Sequence, residues 1–190
     1  MHRAPLIRLL NPADRDAFFQ LRLRGLQEHP ESFGQSYEEA LAKGPAQHDA
    51  MLEGRHAAEG NFILGAFGMF NHESRAKDGS EYHTQDGEMI GTVGLVRNQS
   101  LKQRHKASVV GMYVALEAAG RGVGRALLME LLALGGQVQG LRQIQLLVSS
   151  NNEPARHLYE SLGFRHYGRE IEALCINGQF HDADMMARFL

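Results

Sequence analysis

The sequence predicts a mixed α/β sandwich in which antiparallel strands come first, one strand–helix–strand crossover follows, and a hairpin closes the chain. Three observations favour this class. Short apolar runs with strand character recur along the chain, separated by turn formers. A helical stripe of leucines after Gly124 lies between two of these runs, as in a crossover. Near the end, Asn177-Gly178 separates two more runs and is a strong hairpin signal.

Seven apolar runs predict the strands. They are LIRLL from Leu6, NFILGAFGMF from Asn61, MIGTVGLV from Met89, SVVGMYV from Ser108, RQIQLLVSS from Arg142, IEALCI from Ile171 and QFHDADMMARFL from Gln179. In the fifth run, Ile144, Leu146 and Val148 alternate with two glutamines, which is typical of a half-buried strand. The polar segment 71–88 predicts a long exposed loop between the second and third strands.

Four segments carry helical spacing or helix-end signals. They are 13–28, which begins near Asn11 and ends at His29-Pro30, 35–57, which is looser and broken at Gly44-Pro45, the segment from the glycines at 120–124 to Val138, and 152–162, which ends at Gly163. The third segment is apolar along a broad stripe, which predicts a buried face. The residues of that stripe are Leu127, Leu128, Leu131, Leu132, Leu134 and Val138.

Composition and charge limit the function classes. With 190 residues, 43% of them apolar and 22% charged, the chain predicts one domain over residues 1–190. A net charge of -2 gives no basic footprint for nucleic acid and no reason to expect a membrane partner. The lone Cys175 excludes an internal disulfide and lies in an apolar strand pattern, so we expect it in the core. Because no apolar segment near Met1 is long enough for a signal peptide, we expect a cytoplasmic protein.

Three glycines stand where the leucine-rich helix must start. Glycine inside a helix costs about 1 kcal/mol relative to alanine, so Gly120, Gly122 and Gly124 suggest that the backbone must stay bare. The first-turn N–H groups have no partner within the helix, and the helix dipole adds positive charge there. With Arg121 and Arg125 at the rim, the segment fits a pyrophosphate cradle. A tight strand-to-helix turn is the plainer alternative.

Two other phosphate-binding loops do not fit these residues. A Walker A loop ends in Gly-Lys-Ser or Gly-Lys-Thr, whereas Gly124 is followed by Arg125 and Ala126. A dinucleotide fold needs its third glycine three residues after the second, and Gly122 is followed at that distance by Arg125. Such a fold also needs an acidic residue near the end of the next strand, where LLVSSNN has none. Nucleotide hydrolysis and nicotinamide or flavin chemistry are therefore disfavoured.

Two motifs resemble the acetyl-CoA signature of the GNAT superfamily of N-acetyltransferases. They are VALEAAGRGVGRALL and NEPARHLYESLGF, and the order of strands and helices is similar to that fold over nearly the whole chain. The resemblance implies a mostly antiparallel twisted sheet of about six to seven strands, with helices on both faces and a splay between the fourth and fifth strands. It also implies acetyl-CoA as co-substrate. The family expects Arg or Gln at the position of Ala119, which weakens side-chain support for the loop but leaves its backbone donors.

The resemblance assigns residues to the co-substrate. The implied pyrophosphate loop consists of Gly120, Arg121, Gly122, Val123, Gly124 and Arg125. The backbones of Met112 and Val114 would bond the pantetheine arm as if it were another strand, and Gly111 before them would allow a bulge. Asn152 matches an asparagine that contacts the cofactor, although it also suits a helix cap.

Tyr159 is the catalytic residue that the resemblance implies. Its phenol would protonate the departing thiolate while a primary amine attacks the acetyl carbonyl within a ternary complex, and a fourth-strand N–H would polarise the oxygen. A tyrosine with a pKa near 10 stays protonated at neutral pH, and a thiol near 8.5 is a modest leaving group. Taken alone, the residue fits equally an aromatic side chain packed against Leu158 or Phe164.

The general base is left open. Some family members carry a glutamate on the fourth strand, but the matching position here is Ser108, which cannot accept a proton at neutral pH. Glu88, His105 and a chain of waters remain as candidates. The 10 histidines show no ligand spacing such as HExxH, so we expect no metal site.

The acceptor is also open, as either a small-molecule amine or a protein or peptide amine. We expect its recognition from the QEHPESFGQSYEEA segment, the polar loop and the final hairpin turn. Four acids, Glu28, Glu31, Glu38 and Glu39, would attract an amine, unless they are a solvated helix face. A homodimer is left open. The alternative to an enzyme is an acyl-CoA-binding regulatory module without turnover, suggested by Ala119 and the missing fourth-strand carboxylate.

Overall fold

The computed structural model describes residues 4–54, 57–68, 83–84 and 87–190. Its strands are β1 (Leu6–Leu9), β2 (Phe62–Gly68), β3 (His83–Thr84), β4 (Gly87–Arg97), β5 (Lys106–Val114), β6 (Gln143–Ser149), β7 (Arg165–Ile176) and β8 (Gln179–Phe189). Its helices are α1 (Arg15–Glu28), α2 (Tyr37–Lys43), α3 (Asp49–Leu52), α4 (Val123–Gln137) and α5 (Glu153–Ser161). The sheet runs β1-β2-β4-β5-β6-β8-β7, with β3 beside β4. All neighbours are antiparallel except β5 and β6, so the predicted fold class is confirmed.

Helices cover both faces of this sheet because side chains alternate along the central strands. On β2, Phe62 and Leu64 belong to the core that also contains the leucines of α4, whereas Ile63 packs with Phe18 of α1. The predicted leucine stripe is buried as expected, with Leu127, Leu128 and Leu131 fully covered. The two cores therefore place α1 on one face and α4 on the other.

The helix α1 is fixed at both ends by polar side chains. Asn11 accepts from the Ala13 N–H at 2.9 Å, and Asp14 accepts from the Asn11 N–H at 2.9 Å, which forms a capping box before the helix. Near the other end, Arg24 donates to both carboxylate oxygens of Glu117 at 2.7 Å. This bidentate pair ties α1 to the turn at Leu116–Ala118, just before the glycine loop.

The closing hairpin forms at the predicted turn. Asn177 and Gly178 both have positive φ, 50° and 79°, which is the conformation of a type I′ turn. The strand before it, β7, begins at Arg165, six residues before the predicted run. The expectation that Cys175 lies in the core is wrong, because β7 is an edge strand and the thiol-bearing residue is exposed.

The segment 71–88, predicted as a loop, lies largely outside the described residues. Where the structure describes it, the prediction is wrong: His83–Thr84 pair with Gly87 and Glu88 as a short antiparallel ladder, and β4 already begins at Gly87. Across the ranges that the structure describes, no helix is long and apolar enough to span a membrane.

Candidate active site

The candidate site begins as a gap between β5 and β6. The two strands pair over only three residue pairs, from Lys106 with Gln143 to Ser108 with Gln145. Beyond that point β6 stays paired with β8 along its whole length, and β5 stays paired with β4. Each strand is thus held by its outer neighbour, and the inner edges diverge, which confirms the splay that the fold class implied.

A bulge at Gly111 changes the direction of β5 beside this gap. The register with β4 shifts between Thr92 and Gly94, so that β5 carries one extra residue there. Gly111 has φ +59°, a conformation that side chains disfavour, and the buried Thr92 hydroxyl donates to its carbonyl at 3.0 Å. The Ala115 N–H donates to Ile90 on β4, so strand alternation directs the N–H of Val114 to the opposite edge, towards the gap.

The glycine loop leads from β5 into the first turn of α4. Gly120 and Gly122 have φ of +71° and +79°, and a Cβ added to either would meet nothing within 4 Å. The first helical hydrogen bond is donated by Ala126 to Gly122 at 3.0 Å, so the helix itself offers no acceptor to the amides of 122–125. Backbone donors and open space therefore coincide at this end of α4.

Gly124 has a different function from the two open glycines. A Cβ there would lie 3.0 Å from Cε of Met112 and 3.4 Å from Cδ2 of Leu158. Gly124 therefore lies at a close approach of β5, α4 and α5. Its missing side chain brings the loop directly onto Met112 at the edge of the gap.

The two loop arginines lie differently. Arg121 is exposed next to the open glycines. Arg125 donates from Nη1 to the hydroxyl of Ser161 at 2.8 Å, so its side chain joins α4 to the end of α5. Val123 is buried in the core, whereas both arginine side chains are exposed at the rim of the loop.

A helix-end motif fixes Tyr159. Gly163, with φ +86°, donates its N–H to Glu160, and Phe164 donates to Tyr159, the two hydrogen bonds of a Schellman motif. The same motif stacks the Phe164 ring edge-on against the Tyr159 ring, with centroids 5.8 Å apart. The sequence LYESLGF therefore determines both where α5 ends and how the Tyr159 ring is oriented.

Tyr159 is a packed residue that also reaches the gap. Only 6% of it is exposed, and it lines the cavity between β5 and β6. Burial raises the pKa of its phenol to about 12. The hydroxyl therefore keeps its proton throughout the neutral range, where it can donate a hydrogen bond or act as an acid but is not available as a phenolate base.

Asn152 caps α5 and faces the same cavity. Its Oδ1 accepts from the Ala155 N–H at 3.1 Å, which is the capping role. The side-chain amide nitrogen carries two further donors. Since Asn152 also lines the cavity, both predicted uses are sterically compatible.

A cavity of about 620 Å³ joins the two faces of the sheet through the gap. Its walls are Ser108–Met112 of β5, Gln145–Ser149 of β6, and Asn152, Ala155 and Tyr159 of α5. On the side of α1 it is closed by Phe18, Arg22, Phe33, His48 and Met51, and Tyr167 and Glu170 of β7 lie at its exposed margin. Residues from both hydrophobic cores therefore line one continuous cavity.

The Acetyltransferase (GNAT) family profile matches residues 52–164, which is more than half of the chain. The chain belongs to the acetyltransferase (GNAT) family. The match covers the gap, the glycine loop and the Schellman motif that holds Tyr159. It leaves α1 and the closing hairpin outside.

Named relatives of the GNAT family show similar sequences over part of their length. A spermidine N(1)-acetyltransferase from Vibrio cholerae is 32% identical over 94 residues, which cover 50% of this chain and 54% of that protein. A mycothiol acetyltransferase from Acidothermus cellulolyticus is 29% identical over 177 residues, which cover 87% of this chain and 46% of that protein. The chain thus spans about half the length of the curated relatives it matches.

Solved GNAT structures share the fold over the whole chain. A GNAT-family acetyltransferase from Streptococcus pneumoniae superposes with a TM-score of 0.81 at 22% identity, covering 98% of this chain and 99% of that one. A phosphinothricin acetyltransferase from Sinorhizobium meliloti, solved in complex with AcCoA, superposes with a TM-score of 0.73 at 17% identity, covering 99% and 89%. At these identities the likeness establishes the fold alone.

The residues of this chain fit the coenzyme that the GNAT family implies. Open backbone at Gly120 and Gly122 suits a diphosphate, and the unpaired inner edge of β5 suits an extended amide-bearing arm. Among the described residues, no group of three or more His, Cys, Asp or Glu side chains comes together as a metal site would require.

The predicted base candidates do not meet at the gap. Ser108 lines the cavity, but Glu88 and His105 do not. His105 precedes β5 at the end where β5 and β6 are paired, and Glu88 lies at the start of β4. The single carboxylate among the described residues that line the cavity is Glu170.

The four glutamates expected to attract an amine do not line the cavity either. Glu28 accepts from Arg24 at 2.8 Å and from the Tyr113 hydroxyl at 2.5 Å, so its carboxylate is already engaged. Glu39 closes the capping box of α2 with Ser36. These contacts engage Glu28 and Glu39 in the scaffold, and the expectation that the four acids attract the amine stays a prediction.

Sequence reasoning missed Arg22, His48 and Glu170. Arg22 carried a usable signal, since it stands four residues after Phe18 and four before Leu26 within the apolar stripe of α1. A charge inside such a stripe indicates a special environment. His48, directly before α3, and Glu170, on β7, reach the gap only in the folded chain. Nothing in the sequence around either residue indicates a place in the site.

Proposed function

We propose that this chain is an acetyl-CoA-dependent N-acetyltransferase that moves an acetyl group to a primary amine by direct attack in a ternary complex. The observation that carries the proposal is the gap between β5 and β6, whose cavity is lined by residues from both faces of the sheet and by Tyr159. Acetyl-CoA supplies an acetyl group activated as a thioester. The family membership and the two-sided cavity support transfer without a covalent acyl-enzyme.

The glycine loop and the inner edge of β5 bind the coenzyme in this proposal. The amides of Gly120 to Arg125 bind the diphosphate, with Arg121 adding charge from the exposed rim. The backbone groups of Met112 and Val114 bond the pantetheine arm, supported by the direction of the Val114 N–H. The amide nitrogen of Asn152 contributes from α5 while its oxygen caps the helix.

Tyr159 stabilises the departing thiolate. Its raised pKa of about 12 means that the phenol is protonated when the thiolate forms, so it can donate a hydrogen bond and then the proton. An N–H at the β5 bulge polarises the carbonyl oxygen, because the extra residue turns backbone donors into the gap. Glu170, at the exposed margin of the cavity, accepts the proton released by the amine through solvent.

The domain extent, the cellular location, the oligomeric state and the acceptor remain predictions. We propose that residues 1–190 act as one N-acetyltransferase domain in the cytoplasm, with a homodimer still open. The names of the relatives, a spermidine and a mycothiol acetyltransferase, support a small-molecule acceptor without choosing one. A protein or peptide amine would need to enter the same cavity of about 620 Å³.

Thiol release from acetyl-CoA across a panel of amines tests the proposal. Tyr159→Phe should leave coenzyme affinity unchanged and lower turnover by roughly 10²- to 10⁴-fold, the usual contribution of a positioned acid. Tyr37→Phe is the matched control, because it removes a phenol hydroxyl from α2, away from the cavity. Unchanged turnover in Tyr159→Phe would remove the residue from the mechanism. Tight coenzyme binding without thiol release on any amine would instead favour a binding module.

A further inference from the structure

The wall of the cavity formed by α1 contains a cation, Arg22, that forms no salt bridge with any of the described residues. Arg22 is half-buried, and its one side-chain hydrogen bond is donated from Nη2 to the neutral Gln35 oxygen at 2.8 Å. Its Nε is fully buried and has no hydrogen-bond partner in the part of the chain that the structure describes. Burial without a carboxylate also lowers the pKa of this guanidinium, which reflects the cost of its desolvation.

The guanidinium is held in place by a chain of side-chain amides. Gln35 donates onward to Gln47 at 3.0 Å, and Gln47 donates to the carbonyls of Ala40 and Gly44. Two glutamines and the Phe33 ring, 5.9 Å from Cζ, thus hold Arg22, and no carboxylate among the described residues pairs with its charge. A scaffold that orients a buried cation in this way is preorganised for an external anion.

A second polar atom without a partner lies on the same wall. Nε2 of His48 is buried and makes no hydrogen bond within the described residues, and its ring packs edge-on against Phe18. Burial and the neighbouring Arg22 lower the pKa of His48 to about 4, so the ring is neutral near pH 7. It supplies a hydrogen-bonding group without a second positive charge.

The number of charged side chains that line the cavity indicates which kind of anion would bind there. Of the described residues that line the cavity, Arg22 is the single arginine or lysine and Glu170 the single carboxylate. One cation with a planar fork of N–H donors matches a carboxylate in both charge and geometry, whereas a phosphate dianion would leave a charge unbalanced. The polar edge of His48 beside it extends the site without changing the charge.

The anion would lie close to the reacting centre. Nη1 of Arg22 is 3.6 Å from where a Cβ of Gly111 would be, so the guanidinium stands against the β5 bulge. Met112, the next residue, lines the same cavity together with Tyr159. We propose that Arg22 and His48 bind the carboxylate of the acceptor, which makes the substrate an amine that carries a carboxylate, such as an α-amino acid. This assignment of the acceptor rests on the proposed acetyl transfer.

The cavity then offers such an acceptor one charge of each sign. Arg22 binds the carboxylate on the α1 side, and Glu170 lines the exposed margin of the same cavity. A polyamine would instead bring several positive charges towards a buried guanidinium that cannot lose its own. Polyamines should therefore be poor ligands, in contrast to the substrate named for one relative of the chain.

Calorimetric titration of the protein saturated with CoA tests the site without turnover. The probes are three pairs that differ only in the carboxylate: alanine and ethylamine, methionine and 3-(methylthio)propylamine, and phenylalanine and 2-phenylethylamine. The amino acid of at least one pair should bind about 10- to 100-fold more tightly, the range expected for a charge-assisted hydrogen bond. Spermidine and 1-aminoethylphosphonic acid should bind more weakly than alanine.

Variants of Arg22 separate recognition from folding. Arg22→Gln should abolish the preference for the amino acid, and Arg22→Lys should keep part of it, since it retains the charge but loses the fork. Arg104→Gln is the matched control, because it removes an equal charge from an exposed turn away from the cavity and should preserve the preference. If Arg22→Gln does not fold, a full preference in Arg22→Lys contradicts the bidentate site.

The outcomes distinguish the two proposals. Equal binding of both members in every pair, or binding by neither, overturns the carboxylate site. A preference that survives in a folded Arg22→Gln overturns it as well. A preference that depends on Arg22, together with no thiol release from acetyl-CoA, keeps the carboxylate site and overturns the proposed transfer.

Discussion

Gly122 offers a direct test of the coenzyme loop through a pair of matched substitutions. Gly122→Asp and Gly122→Asn add side chains of nearly equal size, and both residue types tolerate the left-handed backbone better than others. The backbone there has φ +79°, and the new Cβ would meet nothing within 4 Å. The two variants therefore share the same steric change and differ only by one negative charge.

The charge should act in opposite directions on folding and on binding. A carboxylate at the amino terminus of α4 interacts favourably with the helix dipole, by about 0.3–1 kcal/mol, so the Asp variant should be at least as stable as the Asn variant. Against a bound diphosphate, the same carboxylate about 5 Å away repels each unit charge by roughly 1–3 kcal/mol between bulk water and a protein surface. CoA should therefore bind the Asp variant about 5- to 150-fold more weakly than the Asn variant.

Calorimetric titration with CoA, beside thermal unfolding of both variants, measures the two effects. The difference in affinity should shrink as the ionic strength rises from 0.01 M to 1 M, because the Debye length falls from about 30 Å to about 3 Å. Equal affinity of the two variants at low salt would show that no diphosphate lies against these amides. It would refute the assignment of the loop.

Three further predictions concern the scaffold around the site. Gly163→Ala forces a left-handed alanine into the Schellman motif at a cost of about 1 kcal/mol, which should lower the thermal midpoint by about 2–4 °C. Glu117→Gln breaks the bidentate pair with Arg24 and should lower the free energy of unfolding, measured in urea, by about 1–2 kcal/mol. The Arg24→Gln Glu117→Gln double variant should lose less stability than the two single variants added together. The pKa of His48, lowered to about 4, makes folding lose stability as pH falls from about 6.5 towards 4, since the unfolded chain takes up the proton first. His48→Gln should flatten that part of the stability curve in urea titrations, and an unchanged slope would contradict the buried neutral ring.

Local signals predicted the elements that depend on local chemistry. Gly163 ends α5 because only the residue without a side chain adopts that conformation freely, and Asn177-Gly178 sets the hairpin for the same reason. Alternation placed Ile144, Leu146 and Val148 on the buried side of β6, and all three are less than 10% exposed. These signals act within a few residues, so the sequence alone reports them.

Features that depend on distant contacts were not predictable in this way. The local sequence predicts that Cys175 lies in the core. It is exposed because β7 is at the edge of the sheet, and that position follows from the strand order. The spacing of Arg125 predicts a phosphate contact, and only the fold reveals that its Nη1 also donates to Ser161, 36 residues further along the chain. Nothing near Glu28 in the sequence indicates that its carboxylate accepts from the hydroxyl of Tyr113, 85 residues away. In each case a partner far away in the sequence decides the role.

The gap leaves backbone groups of β5 and β6 unpaired inside the sheet. An unpaired strand edge is normally a liability, since its N–H and C=O groups remain available to other chains. Here the inner edges of β5 and β6 face a cavity closed by α1 and α5, so the exposed backbone is protected from other chains yet open to an extended ligand. A ligand that pairs with β5 would replace a missing strand, which means that coenzyme binding should stabilise the fold as well as position the thioester. In the proposed site, the bulge at Gly111 and the close approach of Gly124 to Met112 would connect the diphosphate end of the coenzyme to its thioester through one short stretch of backbone.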